Sequence, residues 1–221
     1  MSSSNYIIYV INNGATQQDF FLFQQSSAFS YNNSARTVIS LDTESLAPFQ
    51  TFGTQLTFMV DKEVYAGAAT PISTNYAMLS KSLAEGHQST AVQPVTNIAN
   101  STTLSVSPFG LTSPVADTSI SSGSFQIQTP PYDPSLNTYY LGNAVKTTGG
   151  GIVLSSFVIA NPNQRLKVTP QPIFGIGIGN YPSGTVLQSD QINNVALCDF
   201  TASSNTYTVT YTNTGTWVIK Q

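Results

Sequence analysis

The stretch PIFGIGIGNYPSGTV, residues 172–186, decides how the rest of the chain is read. Gly175, Gly177 and Gly179 fall at every second position, and a glycine-rich run before a turn invites a phosphate-binding reading. A dinucleotide fingerprint, however, needs its glycines where a strand enters a helix, so that the helix N-terminus faces the phosphates. Here Pro182, Ser183 and Gly184 make a turn, another strand follows, and no phosphate-loop lysine is present. The alternation of Phe174, Ile176 and Ile178 with the glycines describes a strand with one apolar face and one bare face. A bare face lets an aromatic ring or another backbone lie close. The run is therefore a packing device, and the expected fold is all-β.

The same two-residue period recurs along the chain. Short runs of Ile, Val, Tyr, Phe and Thr between Gly, Pro, Asn and Ser clusters predict strands near 5–11, 18–25, 36–41, 54–60, 63–68, 101–107, 124–128 and 138–144. Further ones follow near 151–159, 165–170, 172–178, 184–188, 194–200, 206–212 and 216–220. Many short strands at this spacing indicate an antiparallel β-sandwich of jelly-roll or Greek-key type. One short helix at most is expected, in STNYAMLSKSLAEG (73–86), which also reads as an irregular connection. The stretch 99–123 is rich in Ser, Thr and Pro. It reads as a long surface excursion of a single domain over 1–221, or as a linker between β domains at 1–98 and 124–221.

Two segments are apolar on both strand faces. In NYIIYVI, Tyr6, Ile8 and Val10 oppose Ile7, Tyr9 and Ile11; in DFFLF, Phe20 and Leu22 oppose Phe21 and Phe23. Such strands need cover on both sides, from their own domain or from a partner. At the other end, TYTVTYTNTGTWVIK (206–220) sends Tyr207, Val209 and Tyr211 inward and its threonines outward, with a turn at Asn213–Gly215 before the strand of Trp217.

Composition narrows the function classes. Only 8% of the 221 residues are charged, against roughly 25% in an ordinary soluble domain. Ser, Thr, Asn and Gln number 28, 27, 17 and 15 and take the place of the charges. A net charge of -3 with seven scattered Lys and Arg speaks against nucleic acid and against anionic membrane surfaces. Weak self-repulsion makes association with copies easier. No run approaches the roughly 20 apolar residues of a membrane helix, and the opening MSSSNYIIYV lacks a signal pattern. The expectation is a cytoplasmic chain, or one exported by another route or after removal of a signal, without membrane insertion.

Candidate chemistry is sparse. His87 is the single histidine and Cys198 the single cysteine. Zinc and copper sites draw on several such ligands, so no metal or cofactor is expected. Cys198 reads as a small buried hydrophobe in NVALCDF. Asp42 and Glu44 read as a solvated turn in SLDTES, and Asp61–Lys62 as a hairpin tip in FMVDKEVY; neither Asp42 with Glu44 nor Asp133 with Asn137 forms a known calcium loop. No Gly-x-Ser-x-Gly elbow occurs. The segment TPPYDPSLNTYYLGN brings Tyr132, Tyr139 and Tyr140 together with Asp133, Asn137 and Asn143, a mixture that suits sugar binding.

The leading expectation is a non-enzymatic structural β-sandwich that self-associates into an oligomer, filament or ordered lattice through Tyr6–Ile11 and Phe20–Phe23. A carbohydrate-binding, lectin-like module using Tyr132–Asn143 on a glycan is the alternative, and a toxin-like β protein the third.

Overall fold

The computed structural model describes residues 4–30, 36–71, 90–147, 151–202 and 204–221. It is an all-β, sandwich-like fold of mostly antiparallel sheets, with a single one-turn helix, α1 (Phe49–Phe52), among the described residues. The helix predicted at 73–86 and His87 lie outside the described residues.

Three sheets build the molecule. The first has four strands: β1 (Asn5–Asn12) pairs in parallel with β18 (Thr206–Tyr211) and antiparallel with β5 (Leu56–Asp61), and β19 (Trp217–Lys220) lies beyond β18. The second contains β8 (Ala99–Val106), β9 (Phe109–Leu111), β10 (Val115–Ala116), β11 (Phe125–Gln128), β14 (Arg165–Thr169) and β3 (Ala28–Phe29). The third and largest runs β17 (Ala196–Asp199), β15 (Ile173–Ile178), β2 (Gln18–Gln24), β4 (Thr37–Leu46), β13 (Ile152–Ile159), β12 (Tyr140–Lys146), β6 (Val64–Ala69) and β7 (Thr90–Val95). A short β16 (Val186–Leu187) pairs with β4.

Every strand expected from the sequence is present. Residues 99–123 supply β8, expected near 101–107, together with β9 and β10, and bury Asn100, Ser101, Thr102 and Leu104. All three sheets mix strands from before and after this stretch. The Asp61–Lys62 hairpin is corrected. β5 and β6 belong to different sheets, so the chain crosses between layers there; the Lys62 amide donates to the Ser4 carbonyl at 2.9 Å. Asp42 and Glu44 sit within β4 rather than in a turn.

One face of the large sheet carries two separate apolar cores. Leu141, Asn143 and Val145 share that face by strand alternation. Leu141 packs with Phe125, Ile127, Leu166 and Val168 of the six-stranded sheet. Val145 packs with Ile8, Val10, Phe58 and Val209 of the four-stranded sheet. Between the cores runs a polar seam. The bulge that opposes Ser155 and Ser156 to Asn143 gathers both serines about one spot, since a bulge re-aims side chains. Asn143 Nδ2 donates to Gln24 Oε1 at 2.8 Å and to Ser155 Oγ at 2.9 Å, while Ser156 bonds Ser27.

Candidate functional site

The expected self-association residues separate into two sets. Phe20 to Phe23 are all buried within the chain itself. Phe20 and Leu22 point into the core beneath the four-stranded sheet, where Phe20 meets Tyr211 and Trp217 edge-on at 6.3 and 6.1 Å. Phe21 and Phe23 point the other way, onto β15. The Phe21 ring occupies the space that a side chain at Gly177 would need, and the Phe23 ring that at Gly175. Tyr181 fills the position over Gly179 and meets Phe21 edge-on at 4.9 Å. Ile192 and Val195 close this cluster. The bare glycine face is thus filled by aromatic rings of the same chain, and Phe20–Phe23 offer no surface to a second molecule.

β1 differs. Ile8 and Val10 are buried, while Ile7, Tyr9 and Ile11 remain half-buried on the outer face of the four-stranded sheet. Register places Ile7 beside Met59 and Thr206, Tyr9 beside Thr57 and Thr208, and Ile11 beside Thr210. Val218, opposite Thr210, is 44% exposed. The result is an apolar stripe flanked by threonines, with the charged residues Asp61 and Lys220 on its two edge strands. Tyr6 faces inward, against Phe200 at 4.7 Å and beneath the Lys62 ammonium, and burial raises its pKa.

The sugar-binding set does not assemble. Tyr139, Tyr140 and Asn143 are buried, and the two tyrosines enter cores on opposite sides of the large sheet. Tyr132 is half-buried; its hydroxyl donates to the Ala160 carbonyl at 2.7 Å and its ring meets Tyr139 at 4.9 Å. Asp133 is exposed, but its Oδ1 accepts from the hydroxyl and amide of Ser135, which together hold its carboxyl below the usual range. Asp117 with Ser119 and Asp199 with Thr201 repeat this Asp-x-Ser/Thr device. It closes turns and leaves no convergent group beside exposed Asn137.

Among the described residues no three His, Cys, Asp or Glu side chains lie together as a metal site would require. Asp61 Oδ1 caps the Glu63 amide at 3.0 Å, and Glu63 accepts from the Tyr65 hydroxyl, whose pKa rises to about 12 through desolvation and this bond. Cys198 is wholly buried against Phe174, and burial pushes its thiol up to about 12, far from a nucleophilic thiolate. No described helix is long and apolar enough to cross a membrane.

Sequence reading missed the buried Asn143–Gln24–Ser155 seam. Its signal is an asparagine on the inward parity of YLGNAVK, between Leu141 and Val145, and a Ser-Ser pair inside IVLSSFVI. No family model matches this chain, and no curated protein or solved structure matches it.

Proposed function

We propose that the protein is a non-enzymatic structural β-sandwich that works by associating with copies of itself through the outer face of its four-stranded sheet. The apolar stripe Ile7–Tyr9–Ile11 carries this reading: it is the part of the doubly apolar segments that the chain leaves half-exposed. Closing two such faces removes apolar area from water at about 25 cal/mol per Å². Threonine rows and scarce charge lower the desolvation cost, and a net charge of -3 opposes the contact little.

Sedimentation velocity at roughly ten micromolar or above tests the reading. The native protein should sediment as an oligomer or larger assembly, and Tyr9→Lys should shift it toward monomer while melting as the native protein does at a dilution where association is absent. A native protein that stays monomeric overturns the proposal.

A further inference from the structure

The loop joining β16 to β17, residues 188–195, divides its side chains between two tasks. Ile192 and Val195 pack against Phe21, Phe23 and Leu187 and pin the loop to the large sheet. Asp190, Gln191 and Asn194 instead line an open cleft of about 300 Å³, whose remaining wall is Ile178 of β15 and Tyr181 just beyond it. We propose that this cleft binds a neutral saccharide, one or two rings in size, through the side chains of Asp190, Gln191, Asn194 and Tyr181.

Each of these side chains reaches solvent: Asp190 and Asn194 are exposed, and Gln191 and Tyr181 are half-buried. Each also keeps hydrogen-bonding capacity that no described residue takes up. Asp190 accepts at Oδ1 from the Gln191 amide at 3.1 Å, which leaves Oδ2. Gln191 accepts at Oε1 from the Gln188 amide at 2.7 Å, which leaves both N–H groups of Nε2. The side-chain amide of Asn194 and the hydroxyl of Tyr181 bond no described residue.

These groups stand on a fixed frame. The Gln191 amide also donates to the Gln188 carbonyl at 3.1 Å, so the two glutamines close the loop on itself. The Trp217 indole N–H donates to the Asn194 carbonyl at 3.4 Å and ties that end of the loop to β19. The Tyr181 ring lies over Gly179 and meets Phe21 edge-on at 4.9 Å. Polar groups held by packing and second contacts lose less freedom when a ligand arrives.

The mixture of groups narrows the ligand class. Asp190 Oδ2 accepts, Gln191 Nε2 donates, and Asn194 and Tyr181 do both; a hydroxyl matches them because it too donates and accepts. The carboxylate and the net charge of -3 disfavour anions. A hard cation takes about six oxygens or more, and one carboxylate among amides falls short of that. Ile178 and the Tyr181 ring give apolar contact for the C–H side of a sugar ring, and too little for a wholly apolar molecule. The site uses none of the stripe on β1, so it stands or falls separately from self-association.

Saturation-transfer NMR on the full chain tests it, with D-glucose, D-galactose, N-acetyl-D-glucosamine, maltose and lactose as probes. At least one should bind with a Kd on the order of 1 mM, as ligand efficiency sets for roughly a dozen heavy atoms in an open site. Asp190→Ala should weaken that probe about tenfold and Asn194→Ala about fivefold, through the hydrogen bonds each removes. Both residues are exposed and outside the apolar clusters, so both variants should melt as the native protein does. Weakened binding in both folded variants supports the site. No signal from any of the five probes, or native affinity retained in either variant, overturns it.

Discussion

β1 and β2 read alike in sequence and end differently in the fold. Each carries aromatic and aliphatic side chains on both faces. β2 is buried on both because β15 beside it presents Gly175 and Gly177, leaving space into which Phe23 and Phe21 fold back. β1 has no such neighbour: β18 offers Thr206, Thr208 and Thr210 on its outer side, and β5 offers Thr57 and Met59. A doubly apolar strand thus states that two covers are needed. Whether the second comes from the same chain depends on what the adjacent strand leaves bare.

Changes in β2 should therefore be the most damaging. Phe21→Ala removes a ring that is wholly buried between Gly177, Phe23 and Tyr181, and the expected loss is about 3–5 kcal/mol in urea unfolding. Leu22→Lys, on the opposite face, should prevent folding, since it buries a charge with no partner in the core of Ile8, Val10 and Phe174. A midpoint for Phe21→Ala within experimental error of the native protein would mean that the chain does not cover this face.

The strand positions are legible because short runs rich in β-branched and aromatic residues are bounded by Gly, Pro, Asn and Ser clusters, a signal that holds even where both faces are apolar and the period of two is lost. The fate of the glycine run was half legible: the bare face was evident from Gly175, Gly177 and Gly179, but not that Phe21, Phe23 and Tyr181 fill it, since a pairing of β2 with β15 joins residues about 150 apart. The strands that escaped notice were short or atypical. β3 and β10 have two residues each, and β9 contains Gly110. β7 contains Pro94, tolerable because β7 is the edge of the large sheet. Which of the sugar-site residues face solvent was not legible: Tyr139, Tyr140 and Asn143 lie at a strand covered on both sides, and local composition carries no record of what packs above it. The seam escaped for the opposite reason, since a buried asparagine looks like any polar residue of a Ser/Thr/Asn-rich chain.

Gly177→Val sharpens the comparison from the partner strand. The added Cβ collides with the Phe21 ring, and Val195 also crowds the site. Overpacking of this kind costs about 1–3 kcal/mol. If the collision is the cause, shortening Phe21 to Leu should relieve part of it, so Gly177→Val with Phe21→Leu should be less destabilised than the two single changes add to. Strict additivity would place the cost elsewhere on β15.

The core shared by β1 and β2 contains a built-in reporter. Cys198 packs there, with its thiol held up at about 12 against an ordinary value of 9.0. The folded state keeps the proton that the unfolded state releases, so this contribution to stability is complete below pH 9 and declines between pH 9 and about 12. Cys198→Ala should flatten that part of the stability profile. The native thiol should also resist a disulfide reagent at pH 8 until the protein is unfolded. Rapid labelling of the native state would show that the core opens locally.

The smallest effect on stability belongs to β1 itself, and it separates the two strands most directly. Ile11 lies on the outer side, half-buried, beside Thr210 and one position along from buried Val10. A lysine there can lay its methylenes along the sheet and keep its ammonium in water. Ile11→Lys should therefore change unfolding free energy by no more than about 0.5 kcal/mol, the usual range for surface positions. The same substitution eleven residues later, at Leu22, should abolish the fold. Measured at a dilution where association is absent, a loss of several kcal/mol for Ile11→Lys would mean that the outer face of β1 is closed within the monomer, erasing the difference between the strands. A near-silent effect on stability, together with a fall in sedimentation coefficient at higher concentration, would show that the second cover of β1 comes from another molecule.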